Sequence, residues 1–251
     1  MTRIDSYEDL TENIVRWLKD YYYDNNSVKA FVIGVSGGID SALTSTLCAK
    51  TGLPTLCIDM PILQSNNEIN RAKDHIAWLK SKYNNVSDLS IDLNNTFKSF
   101  RSAIENKNNE NNFLFFFYSR SRLRMTTLYY YSGIHNYLVA GTGNKVEDFG
   151  IGFYTKYGDG GVDISPIADL TKTDVFNMAS KLGVITKILE AKPTDGLWDD
   201  GRTDEGQLGL KYKELEEAMV NPNSPNRAKY ETIRKQNMHK MEPIPVCIIP
   251  N

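Results

Sequence analysis

The chain has 251 residues, 41% of them apolar and 24% charged, as in an ordinary globular protein, and is long enough for one large α/β domain or two small ones. Its formal net charge of −2 excludes a globally basic nucleic-acid surface, so a polyanion can be met only by local groups of Lys and Arg. Three cysteines, Cys48, Cys57 and Cys247, are too sparse for a disulfide framework or a zinc site; each has an apolar neighbour, and all three are expected to be buried thiols in a reducing cytoplasm.

Met1 to Tyr23 is rich in Asp, Glu, Arg and Lys and has no apolar core of a signal peptide. Ser6, with Asp9 after it, resembles a capping box, and Leu10, Ile14, Leu18 and Tyr21 recur at helical spacing. Ala30 to Val35 is a short continuous apolar run, the pattern of a strand buried on both faces of a parallel sheet. A helix is expected from about Asp40 to Lys50, then a strand at Thr55 to Met60. Ile69, Ala72, Ile76, Leu79 and Tyr83 form a helical stripe. Leu89 to Leu93 reads as a third strand, followed by a helix through about Ile104.

Asn106 to Asn112 is polar and low in complexity and is expected to be a mobile loop, placed to order over bound substrate as lids do. Phe113 to Tyr118 is the most apolar stretch. It is far short of the ~20 residues of a membrane span, and it opens a helix running to about Tyr131 that is expected to be buried or at an interface. A strand at Tyr137 to Ala140, a glycine-rich loop at Gly150 to Gly161, and helices around Val175 to Leu182, Tyr212 to Met219 and Arg227 to Met241 follow, before a Pro-rich extended end. Strand and helix in alternation predict a single α/β domain with a parallel sheet flanked by helices, in which ligands sit at the C-terminal ends of the strands.

Ser36-Gly37-Gly38-Ile39-Asp40-Ser41 lies at such an end, between an apolar strand and a helix. Two glycines let the backbone approach a ligand closely, and the N–H groups and dipole of the helix start favour an anion. Asp40 beside the phosphates makes sense if it holds a divalent cation. The Gly-x-x-x-x-Gly-Lys-Ser/Thr pattern of a kinase-type P-loop is absent. At these residues the sequence resembles the N-type ATP pyrophosphatases, which cleave ATP to pyrophosphate and leave AMP on an acceptor.

Downstream, Val139-Ala140-Gly141-Thr142-Gly143-Asn144-Lys145-Val146-Glu147, then Phe153-Tyr154-Thr155-Lys156-Tyr157-Gly158-Asp159-Gly160-Gly161-Val162-Asp163, then Ser165-Pro166-Ile167 and Leu170-Thr171-Lys172, are similar to the characteristic run of the NAD synthetase family. Arg122-Leu123-Arg124-Met125, Lys192-Pro193-Thr194 and His239-Lys240 also match. The resemblance covers nearly the whole chain. It implies an adenine-nucleotide alpha-hydrolase-like (Rossmann-like) fold over residues 1–251, with a helical part at about 205–251 and no room for a glutaminase domain.

The activity implied is ATP-dependent amidation of deamido-NAD by free ammonia, in a homodimer with the acceptor at the subunit interface and with no nucleic-acid or membrane partner. Residues Gly34, Val35, Ser36, Gly37, Gly38, Ile39, Asp40 and Ser41 would cradle the ATP phosphates. Thr142, Lys172 and Thr194 would also contact ATP. Asp40 and Glu147 would hold Mg²⁺, and Arg122, Lys156, Asp163, His239 and Lys240 would bind deamido-NAD. Asp40, Lys172 and Asp163 are the expected catalytic residues. A lysine near the α-phosphate would stabilise the charge that builds there.

Structural roles stay open to several of these: Asp163 as a turn cap, Lys172 as an exposed helix start, His239 as a partner of a helix C-terminus, Arg124 as a salt-bridge residue and Tyr129 to Tyr131 as packing. Two features depart from the family pattern. The stretch from Glu147 to Lys156 is one residue longer than the commonest spacing, and Met60-Pro61-Ile62-Leu63-Gln64 lacks the Arg that many relatives carry near Met60. The segment Lys156 to Asp163 counts against a GMP-forming relative, the charge against a tRNA-modifying one, and the retained pair Asp40 and Glu147 against a nucleotide sensor.

Overall fold

In a computed structural model, which describes residues 6–104, 113–191 and 204–249, four parallel strands form one sheet in the order β3-β2-β1-β4. The strands are β1 (Ala30–Gly34), β2 (Thr55–Asp59), β3 (Val86–Ser90) and β4 (Tyr137–Val139). Phe31 lies opposite Thr55 and Leu138, and Thr55 opposite Val86. An isolated parallel bridge from Ala140 to Ile164 extends the β4 edge.

The period-2 alternation of a strand divides the core into two layers. Phe31 and Ile33 face α1 (Tyr7–Asp24), α2 (Ile39–Lys50) and α6 (Lys172–Lys181), where Leu18, Leu43, Leu47, Val175 and Met178 are buried with them. Val35 and Cys57 pack beside them on α3 (Asn66–Lys82), against Ala72, Ile76 and Leu79. Val32, Leu56, Ile58 and Val139 face the other way. There they meet Phe97 of α4 (Asn94–Ile104) and Leu123, Leu128 and Tyr131 of α5 (Phe113–His135). Each such large side chain taken fully from water contributes about 1.5–3 kcal/mol. Being covered on both faces is why β1 and β2 read as continuous apolar runs.

Four expectations are corrected. The third strand is Val86–Ser90, three residues earlier than the apolar residues of Leu89 to Leu93 indicate. It is the sheet edge and only Val86 is buried, so its sequence, Val-Ser-Asp-Leu-Ser, carries little apolar signal. Helix α5 runs four residues beyond Tyr131 and ends at Asn136, which takes the left-handed φ of +57°. The start of the glycine-rich loop is a π-helical turn, Lys145–Ile151, here called the π-turn. Cys247 is exposed, whereas Cys48 and Cys57 are buried.

The remaining elements are α7 (Thr186–Leu189), α8 (Asp204–Leu208), α9 (Tyr212–Val220) and α10 (Arg227–Met241). Val146 and Ile151 of the π-turn pack with Tyr212, Leu215, Ala218 and Tyr230 in a further buried cluster. Helix α10 also holds the carbonyls of the π-turn from outside: the Tyr230 hydroxyl donates to Gly150 O (3.1 Å), Asn237 Nδ2 to Ile151 O (2.9 Å) and Arg234 to Phe149 O and Gly150 O. Among the described residues no helix is long and apolar enough to cross a membrane. Thr194 and the stretch Asn106 to Asn112 lie outside the described residues, as do the side chains of 113–116; of the apolar segment, Phe117 is buried and Tyr118 exposed.

Candidate active site

The C-terminal ends of β1 and β4 open into a cavity of about 400 Å³ whose wall includes Gly34, Val35, Ser36, Gly38 to Ser41, Thr142, Glu147 and Lys172. The loop after β1 is shaped by its own residues. Gly37 has φ +84°, and a Cβ there would lie 2.6 Å from Glu68 O, so both the turn and the approach of α3 demand glycine. Ser36 Oγ accepts from Gly38 N (3.2 Å), and Ser41 Oγ accepts from Ser36 N (3.2 Å) while donating to Gly38 O (3.0 Å). The hydroxyls therefore brace the loop. The first turn of α2, capped by the backbone of Gly38 without a side chain, points its N–H groups out of the helix for an anion.

Three elements bring charge to this loop. Asp40 sits in the first turn of α2. Asn144 caps the π-turn by accepting from Val146 N and Glu147 N (both 3.1 Å), and its Nδ2 donates to Asp40 Oδ1 (3.0 Å), which fixes the two acidic elements to each other. Thr171 caps α6 in a reciprocal box with Asp174, which makes Lys172 the first helical residue. Lys172 Nζ donates to Asp40 Oδ2 (2.6 Å) and to Glu147 Oε1 (3.0 Å), with side chains only 10%, 18% and 15% exposed. An exposed role for Lys172 is thereby excluded. The Tyr212 hydroxyl donates to Glu147 Oε1 at 2.5 Å, and Lys172 Nζ lies 4.8 Å from the centre of its ring.

Burial alone would discharge Lys172, but the Asp40 and Glu147 carboxylates outweigh it and raise its pKa, so it stays an ammonium. Burial raises Asp40, with Glu147 adding to it against the pull of Lys172; for Glu147 the pull of Lys172 and the Tyr212 hydrogen bond overcome burial and lower it. Beside them, burial and the charges of Asp159, Glu147 and Asp40 hold Asp148 well above the usual carboxylate range. Around Lys172 the wall thus brings two carboxylates to one ammonium.

Two carboxylates that reach one ammonium also lie within reach of one divalent cation. Among the described residues no cluster of three or more His, Cys, Asp or Glu side chains forms a closed metal cage. That donor set suits Mg²⁺, which completes its shell with phosphate oxygens and water.

The residues that the resemblance assigns to the acceptor do not all gather in the cavity. Lys240 lines it, with Nζ donating to Tyr154 O (2.9 Å) and Gly152 O; burial lowers its pKa against the charges of Asp159 and Asp148. Arg122, Lys156 and His239 form a chain outside the wall: an Arg122 Nη donates to Lys156 O (3.3 Å) and Lys156 Nζ to His239 O (3.0 Å). Asp163 ties β4 to α5, accepting from Val139 N (2.8 Å) and from the Tyr129 hydroxyl (2.9 Å). Arg124 Nε donates to Met60 O (3.1 Å), and both residues line the cavity, as does Arg71 of α3. Sequence reasoning gave no role to Asn144, Asp148, Tyr212 or Arg71. Asn144 stood inside the quoted motif, and an Asn directly before a helical turn is a capping signal; the other three carry no local signal.

The sequence model of the NAD synthase family matches residues 10–246. The chain is 38% identical over 218 residues to the NH(3)-dependent NAD(+) synthetase of Carboxydothermus hydrogenoformans, with 86% of each chain covered. It is 36% identical to the enzyme of the same name from Finegoldia magna, with 94% of each covered. Among solved structures, the NMN synthetase of Francisella tularensis superposes with a TM-score of 0.85 at 30% identity, covering 98% of this chain and 99% of that one. Fold, loop and sequence agree: the chain belongs to the NAD synthase family.

Proposed function

We propose that the protein amidates the carboxylate of deamido-NAD with free ammonia, cleaving ATP to AMP and pyrophosphate. The observation that carries this reading is the Lys172 ammonium held between Asp40 and Glu147 at the mouth of the Gly-rich loop. A carboxylate is a poor electrophile at neutral pH. Its oxygen attacks the α-phosphorus of ATP, the bond to the bridging oxygen breaks, and pyrophosphate leaves with the electron pair. The acyl-adenylate formed carries AMP as a good leaving group. Ammonia adds to the acyl carbon, AMP departs, and the nitrogen loses a proton to give the amide.

The loop N–H groups orient the phosphates, and Lys172 offsets the charge that grows on the α-phosphoryl oxygens. Mg²⁺ held by Asp40 and Glu147 would neutralise phosphate charge when bound. No enzyme nucleophile is required. Thr142 in the cavity wall and Thr194 complete the ATP contacts in this reading. Lys240 binds the acceptor from the wall, while Arg122, Lys156, His239 and Asp163 do so from outside it. Residues 1–251 act as one synthetase domain in a cytoplasmic homodimer.

Turnover with ATP, Mg²⁺, deamido-NAD and ammonium tests the proposal. NAD, AMP and pyrophosphate in equal yield, and no NAD when glutamine replaces ammonium, are the expected results. AMP and pyrophosphate without NAD would overturn the acceptor, and the absence of ATP cleavage would overturn the reaction. The likeness to the Francisella protein, named an NMN synthetase, favours a second reading in which the same chemistry acts on the mononucleotide. The ratio of kcat/KM for deamido-NAD to that for nicotinic acid mononucleotide decides between them: above one supports the first, below one the second.

A further inference from the structure

Arg71 stands on α3, an element that the reaction described above does not use. Its Nε donates to Gly37 O at 3.2 Å, and its side chain forms part of the cavity wall. That contact takes one of the five N–H donors of a guanidinium. Among the described residues no carboxylate pairs with Arg71. Glu68, one turn before it, directs Oε2 back to Ser65 N (3.1 Å) and Ser65 Oγ (2.8 Å) in the cap of α3. Lys172 differs, because two carboxylates already share its charge.

The position of Arg71 along the loop adds a direction. Lys172 meets the loop at Asp40, where the reaction proposed above puts the α-phosphorus, whereas Arg71 meets it at Gly37, three residues nearer β1. We propose that Arg71 binds the β- and γ-phosphates of ATP, and hence the departing pyrophosphate, with the guanidinium donors that Gly37 leaves free. A planar fork with several donors suits phosphate oxygens better than a point charge does. The close packing of α3 on the loop, where a Cβ on Gly37 would meet Ala72 N at 3.0 Å as well as Glu68 O, sets the guanidinium at a fixed height beside it. Arg71 is thus a binding residue for the leaving group. Its action rests on the ATP-cleaving reading given above.

Calorimetric titration of the full chain with inorganic pyrophosphate and, separately, with AMP tests the residue. Arg71→Gln keeps an amide able to donate to Gly37 O but removes the charge. Pyrophosphate should bind Arg71→Gln at least tenfold more weakly than wild type, with AMP affinity changed less than twofold, and Arg71→Lys should recover part of the loss. Equal weakening of both ligands would reduce Arg71 to a support of the loop, and unchanged pyrophosphate binding would remove it from the site; either result overturns the inference. Wild-type turnover is scored independently, so a protein that binds pyrophosphate through Arg71 yet never cleaves ATP would reject the reaction and leave the residue standing.

Discussion

Asp40 pairs with Lys172 and Tyr212 bonds Glu147, and the two make different demands on substitution. Asp40→Asn leaves the size of the side chain and removes the charge that faces Lys172 at 2.6 Å. Turnover is expected to fall by at least about a hundredfold, while nucleotide affinity, set mainly by the loop backbone, changes by less than about fivefold. A variant that lost both equally would place Asp40 in binding alone. Tyr212→Phe removes the hydroxyl that bonds two buried carboxylates, Glu147 and Asp204 (3.1 Å), each such bond worth about 1.5–3 kcal/mol. The Mg²⁺ concentration for half-maximal turnover should rise by about ten- to a hundredfold; an unchanged Mg²⁺ demand would show that Tyr212 only fills space.

The Gly-rich loop and both acidic residues were legible because each sits in a contiguous motif. Tyr212 was not, since 65 residues separate it from Glu147 and only the packing of α9 brings them together. The thiols follow the same rule of surroundings. Burial, with a contribution from Asp88, pushes Cys57 up to about 12, burial raises Cys48 as well, and Cys247 is exposed in the extended end. A maleimide should therefore label one thiol in the folded protein and all three after denaturation.

Among the elements, α3 carries the clearest pH dependence. His75 is fully buried, stacked on Trp78, with Nε2 3.0 Å from Ser45 Oγ, and burial lowers its pKa from 6.5 to about 4. Above pH 6.5 the ring is neutral in both folded and unfolded chains. As pH falls from 6.5 towards 4 the unfolded chain takes up a proton that the folded one refuses, so stability drops, by up to about 3 kcal/mol. Urea unfolding of wild type and His75→Gln at pH 7, 5.5 and 4.5 should show the steeper decline in wild type; parallel declines would clear His75.

Helices and central strands were legible from periodicity, because one stripe or both faces of each are covered by apolar neighbours. The edge strand β3 and the short α7 and α8 were not, since their position is fixed by what they lie against. Gly37→Ala meets both a left-handed φ and the backbone of Glu68, and is expected to cost about 2 kcal/mol or more and to displace α3 from the loop. Comparison of its unfolding midpoint with that of Gly52→Ala checks this. Gly52 has φ +75° but nothing within 4 Å of an added Cβ, so the difference isolates the contact from the strain.

On the scale of the whole molecule, the sheet fixes only the loop after β1 and the ends of β4, while Glu147 depends on the helical layer of α9 and α10. Leu215 is fully buried in that layer, and Leu215→Ala should destabilise the protein by about 2–5 kcal/mol and lower turnover at temperatures well below unfolding. The alternation of strand and helix was enough to name the architecture. It could not give the strand order, because β1 pairs with β4 across more than a hundred residues of chain and parallel pairing leaves no turn to read.

The π-turn has a consequence on this scale too. A turn closing from Gly152 N to Glu147 O takes in one more residue than an α-helical turn would. With its carbonyls held by Tyr230, Arg234 and Asn237, the surplus residue is accommodated within a single coil. The coil beside the reacting centre is thereby wider than an α-helical turn, yet both of its ends are pinned to the helical layer. Removing Phe149 should leave a narrower coil, and the turnover of that variant measures whether the wider one is needed.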